Sequence, residues 1–276
     1  MLTVRLPTPA FLLAGLAALA APEAVAVPAA AQDFAPHRAV YAITAIENGK
    51  PGTGSSGTYA YELRATCDGY VVNQRLRLDA AGGRDAASSE QQSQMTESRD
   101  GKKLRFEHRT AAGGKQTSLV KGEATLGDDG KGEARFADPE GQSVALPVGT
   151  LFPVAIARET IRVAKAGESG LDALFFFGEK VQPPQSVNIL IGKVPKRLAD
   201  VKIPEGAEAL ADGRSRIYYR AGFFDAKSKG QGEPAFEMSS ITLDNGIELY
   251  GTHEESDGGI EYRITRLESL PKPECK

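Results

Sequence analysis

The chain has 276 residues, with 33 Lys and Arg against 36 Asp and Glu, a formal net charge of -3. That mild acidity argues against a nucleic-acid partner, because a protein reading a phosphate backbone shows a basic surplus or stripe. Hydrophobic content of 41% and charged content of 25% are those of an ordinary globular protein.

Residues 1–31 read as a cleaved export signal. Arg5 supplies a thin positive start, and Phe11 to Ala21 ("FLLAGLAALAA") is an apolar run of signal length. It is too short to span a bilayer, which takes about 20 apolar residues. Ala29-Ala30-Ala31 offers a small-residue cleavage pattern, with Ala24-Val25-Ala26 as the less favoured alternative. No later stretch is long and apolar enough to anchor the chain, and no Cys follows the apolar run to take a lipid. The expectation is an exported, soluble mature protein of residues 32–276 forming a single domain.

After Gln32, short runs of two-residue alternation dominate, which marks strands wetted on one face and hence antiparallel. They fall at 37–46, 58–65, 70–79, 103–110, 215–224, 236–244, 247–256 and 260–269, with more polar examples at 88–98 and 117–126. In the third, Val72, Leu76 and Leu78 share one face, and Asn73, Arg75 and Arg77 the other. In the last, Ile260, Tyr262, Ile264 and Arg266 share a face. Asp68-Gly69, Asp100-Gly101, Asp129-Gly130, Asn245-Gly246 and Asp257-Gly258 supply hairpin turns. Gly52-Thr53-Gly54-Ser55-Ser56-Gly57 has the letters of a dinucleotide fingerprint but is followed by a strand pattern, not a helix. It reads as a hairpin connection.

One segment departs from alternation. Across 149–167, Pro153 suits a first helical turn and Gly167 a stop, and Ile156, Thr160, Ile161 and Ala164 recur at helical spacing. This predicts an amphipathic helix near 152–166 that covers an opening of the sheet. The next run, 171–180, carries three adjacent Phe residues and reads as a strand buried on both faces. Strands spaced roughly every 8 to 14 residues, with no linker between them, predict a mainly β protein: one long antiparallel sheet that curls into an open barrel.

The two cysteines, Cys67 and Cys275, are the whole complement. In an oxidising compartment such a pair is expected to be bridged. A Cys at the penultimate position would pin an end of the chain that otherwise frays. There is no C-x-x-C.

His37, His108 and His253 lie far apart in sequence, without the spacing of a metal site. His253-Glu254-Glu255 reads as a solvated polar edge, since alternation separates neighbours. No nucleophile elbow or phosphate loop occurs, and Asp128-Asp129 and Asp138/Glu140 sit in turn-like sequence. No cofactor is expected.

"APHRAVY" (Ala35 to Tyr41), "YELRATCDGY" (Tyr61 to Tyr70), "GTLFPVA" (Gly149 to Ala155) and the terminal Cys275 resemble the EipB family of alphaproteobacterial envelope proteins. The resemblance spans essentially the whole mature chain. It implies a periplasmic β-spiral with a helix at its opening, a Cys67–Cys275 disulfide, and a part in envelope integrity under stress without a known catalytic activity. The fold looks similar to that of periplasmic lipoprotein carriers. The expected role is therefore non-enzymatic: an apolar cavity or docking surface for a lipid, an acyl chain or an envelope protein, in a monomer. Leu174, Phe175, Phe176, Phe177, Ile189 and Phe224 are the candidate cavity residues. The alternatives are a hydrolase whose site assembles from distant residues, with His108 or His253 as candidates, and a scaffold for peptidoglycan or an outer-membrane complex.

Overall fold

The structure, a computed structural model, describes residues 33–47, 50–79, 88–225, 232–256 and 258–275. The signal expected at 1–31 and Asp257 of the last predicted turn lie outside them.

In chain order the elements are β1 (His37–Glu47), β2 (Lys50–Ala65), β3 (Gly69–Asp79), β4 (Ser89–Ser98), β5 (Lys103–Ala112) and β6 (Lys115–Leu126). There follow β7 (Gly132–Asp138), β8 (Ser143–Leu146), β9 (Thr150–Leu151), helix α1 (Pro153–Lys165), β10 (Gly170–Phe175) and β11 (Gln185–Gly192). A 3-10 turn (Lys196–Leu198) and the short α2 (Glu208–Ala211) precede β12 (Arg216–Phe224), β13 (Phe236–Leu243), β14 (Glu248–Glu255) and β15 (Gly258–Ser269).

All fifteen strands join one sheet, ordered β8-β7-β6-β5-β4-β3-β2-β1-β15-β14-β13-β12-β11-β10-β9. Every pairing is antiparallel except the short parallel contact of β9 with β10. The first strand therefore lies mid-sheet, and the chain winds outward from it in both directions. The two edge strands, β8 and β9, are separated only by Pro147, Val148 and Gly149, where the Thr150 N–H donates to the Pro147 carbonyl at 3.2 Å. A three-residue link cannot hold two sheet edges far apart, so the sheet is rolled until its edges meet. That rolling removes most of the exposed edge a long sheet would otherwise present.

Alternation fixes which face is inside. Val72 is buried while Arg75 and Arg77 are exposed, and His37, Ala39, Tyr41 and Ile43 are buried while Arg38 and Ala42 are not. Across one end of the roll, Leu63, Val72, Met95, Leu104 and Phe106 form a core with Phe152, just before α1, and with Val154 and Ile161 of α1. Pro153 opens α1, and Gly167 follows it at a positive φ of 73° that glycine adopts without steric cost. The helix occupies the predicted segment and plugs this end.

On the outward face of β13 to β15 a second layer is laid down by residues 193–214. Leu198, Val201 and Ala207 are buried there with Ile241, Leu243, Leu249 and Tyr250. No alternating or helical pattern announced this cover.

Several expectations are corrected. The glycine run is part of β2, not a hairpin connection. Between Thr44/Ser56 and Ile46/Pro51 the β1–β2 register shifts, so the extra residues bulge out of the ladder. Glycine is needed at position 57, where a Cβ would come within 2.0 Å of the Arg77 carbonyl oxygen. The segment 171–180 is only partly a strand, and β10 is half-buried rather than buried on both faces. Arg266 leaves the face of Tyr262 and Ile264, because a register shift at Val40/Tyr41 puts Leu267 inside instead.

Candidate functional site

The inward face changes character along the roll. On β4, Glu97 and Met95 are buried beside α1, Ser93 is half-buried and Gln91 is exposed. On β3, Val72 is buried while Gln74, Leu76 and Leu78 are half-buried. The interior is therefore filled next to α1 and open to water towards the far mouth. This gradient defines a lumen.

Its wall is a set of tyrosines around one carboxylate. Tyr41 and Tyr59 stack at 5.3 Å between ring centroids, and Tyr262 meets each of them edge-on at 5.7 and 5.8 Å. Tyr61 follows Tyr59 along β2 at 6.4 Å. Tyr41 and Tyr262 are fully packed, whereas Tyr59, Tyr61 and Tyr219 keep part of their surface open to the lumen. Glu248 on β14 sits among them. Its Oε1 accepts from Ser240 Oγ at 2.6 Å and from Tyr262 O–H at 3.3 Å, and its backbone carbonyl accepts from Tyr41 O–H at 2.9 Å. Among the described residues, no hydrogen bond is directed at Oε2.

Glu248 reaches the inside through a bulge. Ile241 pairs with Tyr250 and the next residue, Thr242, with Glu248, so β14 spends an extra residue, Leu249, at that point. Tyr250 is thereby turned outward, where its hydroxyl donates to Glu261 at 2.9 Å and Arg263 lies over its ring. Removal from water pushes the Glu248 pKa up to about 7, partly offset by the Ser240 and Tyr262 hydrogen bonds. Burial, reinforced by the Glu248 charge, also pushes up the phenols of Tyr41, Tyr59 and Tyr262, and Tyr219 rises to about 12 from the same two causes.

Nearer α1 stands a second polar group. His108 is buried, with Nδ1 2.8 Å from Ser93 Oγ and Nε2 3.0 Å from the Phe177 carbonyl oxygen. Because a carbonyl only accepts, Nε2 carries the proton and Nδ1 accepts from Ser93. Burial lowers the imidazole pKa to about 4. It is therefore neutral at ordinary pH and a weak base for activating Ser93. Glu97, raised to about 7 by burial, accepts from the N–H groups of Val154 and Ala155 at the start of α1, a structural duty.

The six candidate cavity residues do not share one surface. Phe176 and Phe177 pack with the cluster around α1, and Phe175 and Ile189 with Val187, Ala221 and Phe223. Leu174 and Phe224 both pair with Ser186, in register on the opposite face of the sheet from Val187 and Phe223. The Phe run bends out of the strand after Phe175, which scatters its rings. His253 stacks on Phe236 at 4.6 Å and lies 3.2 Å from Glu255 near the exposed end of β14. The tyrosines escaped the sequence reading although Tyr59 and Tyr61 alternate visibly. Glu248 carried no readable signal, since only the bulge puts it inside.

Cys67 and Cys275 are joined by a disulfide, with their Cα atoms 5.5 Å apart. The final residues are thus fixed to the turn between β2 and β3. Among the described residues there is no cluster of three or more His, Cys, Asp or Glu able to hold a metal, and no helix is long and apolar enough to cross a membrane. An open groove of about 520 Å³ lies on the outward face of β1 to β5. Its charged rim is self-paired, as in Arg38–Glu62 and Arg75–Glu90, which leaves it a solvated surface.

The roll has counterparts among known proteins. A β-barrel-like protein from Brucella abortus, with a domain of unknown function, aligns with a TM-score of 0.75 and 24% identity, covering 87% of this chain and 100% of that one. Over 256 residues, 87% of this chain and 86% of the other, the sequence is 26% identical to a Brucella abortus protein named cell envelope integrity protein EipB. Residues 28–254 match the EipB-like family over most of the chain, and the protein belongs to that family.

Proposed function

We propose that this protein supports the integrity of the cell envelope as a non-enzymatic periplasmic protein, holding an amphiphilic ligand inside its rolled sheet. The observation that carries the reading is the graded lumen: closed by α1, open at the other mouth, and lined by half-exposed aromatic side chains. Small-molecule sites are typically concave and mostly apolar, with a few convergent polar groups, and this interior has that make-up. The envelope role rests on the family and on the printed name of the Brucella relative. The export signal read at residues 1–31 and the disulfide both suit an oxidising compartment.

The hydrolase reading would rest on Ser93 and His108. The low basicity of that imidazole, and a carbonyl rather than a carboxylate on its other nitrogen, favour the binding role.

The experiment is complementation. Cells lacking the protein should become sensitive to detergent and cell-wall antibiotics, and the wild type should restore resistance. Gln74 points inward between Tyr61 and Ser93, so Gln74→Trp should fill the lumen and fail to rescue while Ser93→Ala rescues fully. Rescue by a folded Gln74→Trp protein would count against a ligand-holding role.

A further inference from the structure

Charge is distributed unequally between the two faces. Following the strand registers, the inward positions of β1, β3 to β5 and β12 to β15 carry no Lys or Arg; the inward register positions that do, Lys50 opposite Glu47 and Lys115 opposite Ala112, lie at strand ends, whereas Arg38, Arg75, Arg109, Arg135, Arg220 and Arg263 all point outward. Within the lumen, the carboxylate beside the accessible tyrosines is Glu248; the buried His37, whose ring lies 5.4 Å from that of Tyr61, has its pKa lowered by burial. An enclosed carboxylate with no base to pair with is costly, and such charges are normally matched. Here Ser240 and Tyr262 satisfy Oε1 only.

We propose that Glu248, with the accessible rings of Tyr59, Tyr61 and Tyr219, is the recognition site for the ammonium head group of a cationic amphiphile. The proposal rests on the ligand-holding reading above and names the class of ligand. A substituted ammonium group is attracted to the face of a tyrosine ring, and more strongly when both are desolvated. Oε2 supplies the opposite charge. Tyr41 and Tyr262 are packed behind the site and hold Tyr59 and the carboxylate in place. The half-buried Leu76 and Leu78, which share the inward face of β3, give the alkyl tail a path towards the mouth. A fatty-acid carboxylate, by contrast, would meet Glu248 as a like charge, with no Lys or Arg at the inward positions of β12 to β15 to receive it.

Binding of a cation requires Glu248 to be ionised. The groups facing it are Tyr41 on β1, Tyr59 and Tyr61 on β2, Tyr219 on β12, Ser240 and Thr242 on β13 and Tyr262 on β15. None of these releases a proton below about pH 9. Affinity should therefore rise as pH increases through about 7 and then level off.

The test uses calorimetry of the mature protein with dodecyltrimethylammonium, dodecanoate and uncharged octyl glucoside, each below its micelle-forming concentration. The chain contains no Trp, so tyrosine emission reports the same site independently. Dodecyltrimethylammonium should bind at least about tenfold more tightly than dodecanoate, a difference of about 1.4 kcal/mol. Glu248→Gln should remove that preference while leaving octyl glucoside binding and the circular dichroism spectrum unchanged. Tyr59→Phe, which keeps the ring face, should bind like wild type, and Tyr59→Leu should not. Equal binding of the ammonium and carboxylate amphiphiles would overturn the proposal while leaving the ligand-holding lumen intact. Failure of all three to bind would overturn both.

Discussion

Glu97 on β4 accepts the backbone N–H groups of Val154 and Ala155 at 2.7 Å each, tying the first turn of α1 to a strand more than fifty residues earlier. The helix has no side-chain cap of its own at Phe152, so this carboxyl satisfies donors that a helix start leaves unpaired. Glu97→Ala should strand both donors in a buried site and cost about 3 kcal/mol. Urea unfolding would measure it, and a loss below about 1 kcal/mol would show that α1 does not depend on this link.

Glu248 gives stability a definite pH dependence. In the folded protein it keeps its proton up to about pH 7, whereas the unfolded chain releases it near 4.5. The folded state is therefore fully favoured below about pH 4.5, and that advantage is lost as pH rises towards 7. Glu248→Gln should match the wild type in acid and exceed it above pH 7 by at most about 3 kcal/mol. Melting curves across that range would check the sign, and a wild type gaining on the variant with rising pH would contradict it.

His108 acts in the opposite sense. Its folded pKa of about 4 lies below the ordinary 6.5, so the unfolded chain takes up a proton first as the solution is acidified. Stability from this group is complete above about pH 6.5 and is lost progressively towards pH 4. His108→Gln should flatten that acid limb in melts against pH, although lost hydrogen bonds lower its stability at neutral pH by about 1 to 2 kcal/mol.

Tyr262 depends on the absence of a side chain at Gly251. A Cβ there would fall 2.2 Å from the Tyr262 hydroxyl oxygen and ring carbon. Gly251→Ala should push the ring off Glu248, destabilise the protein by about 1 to 3 kcal/mol, and weaken amphiphile binding. An unchanged melting temperature and unchanged calorimetry would show that Tyr262 is not held by this contact.

The disulfide closes a loop with a sequence separation of 208. Chain-entropy scaling gives at most about 5 kcal/mol for such a loop. Cys275→Ser should lower the melting temperature under oxidising conditions and abolish the mobility difference between reduced and unreduced gels. An unchanged melt would show that the C-terminal residues are held without it.

Much of the fold could be read from the chain because its signals are local. Val72, Leu76 and Leu78 alternate against Arg75 and Arg77, and the sheet places them as that pattern requires. Pro153 and Gly167 bracket the helix within a residue or two. What escaped depends on non-local or irregular geometry. The short β7, β8 and β9 offered too few alternating positions to stand out. Residues 193–214 bury Leu198 and Val201 on a surface that only the rolled sheet creates. Arg266 and Glu248 are placed by bulges, each of which reverses the face of every residue beyond it. Leu174 and Phe224 were grouped with true interior residues because the runs Leu174 to Phe177 and Phe223-Phe224 hide their own alternation.

The central claim is that the rolled sheet encloses a lumen occupied by an amphiphile. Its most direct test is mass spectrometry of an organic extract from protein purified, without detergent, from its native cells. A near-stoichiometric amphiphile in the wild type, absent from Gln74→Trp protein of equal melting temperature, is the predicted result. A wild-type extract free of any such molecule would contradict the account.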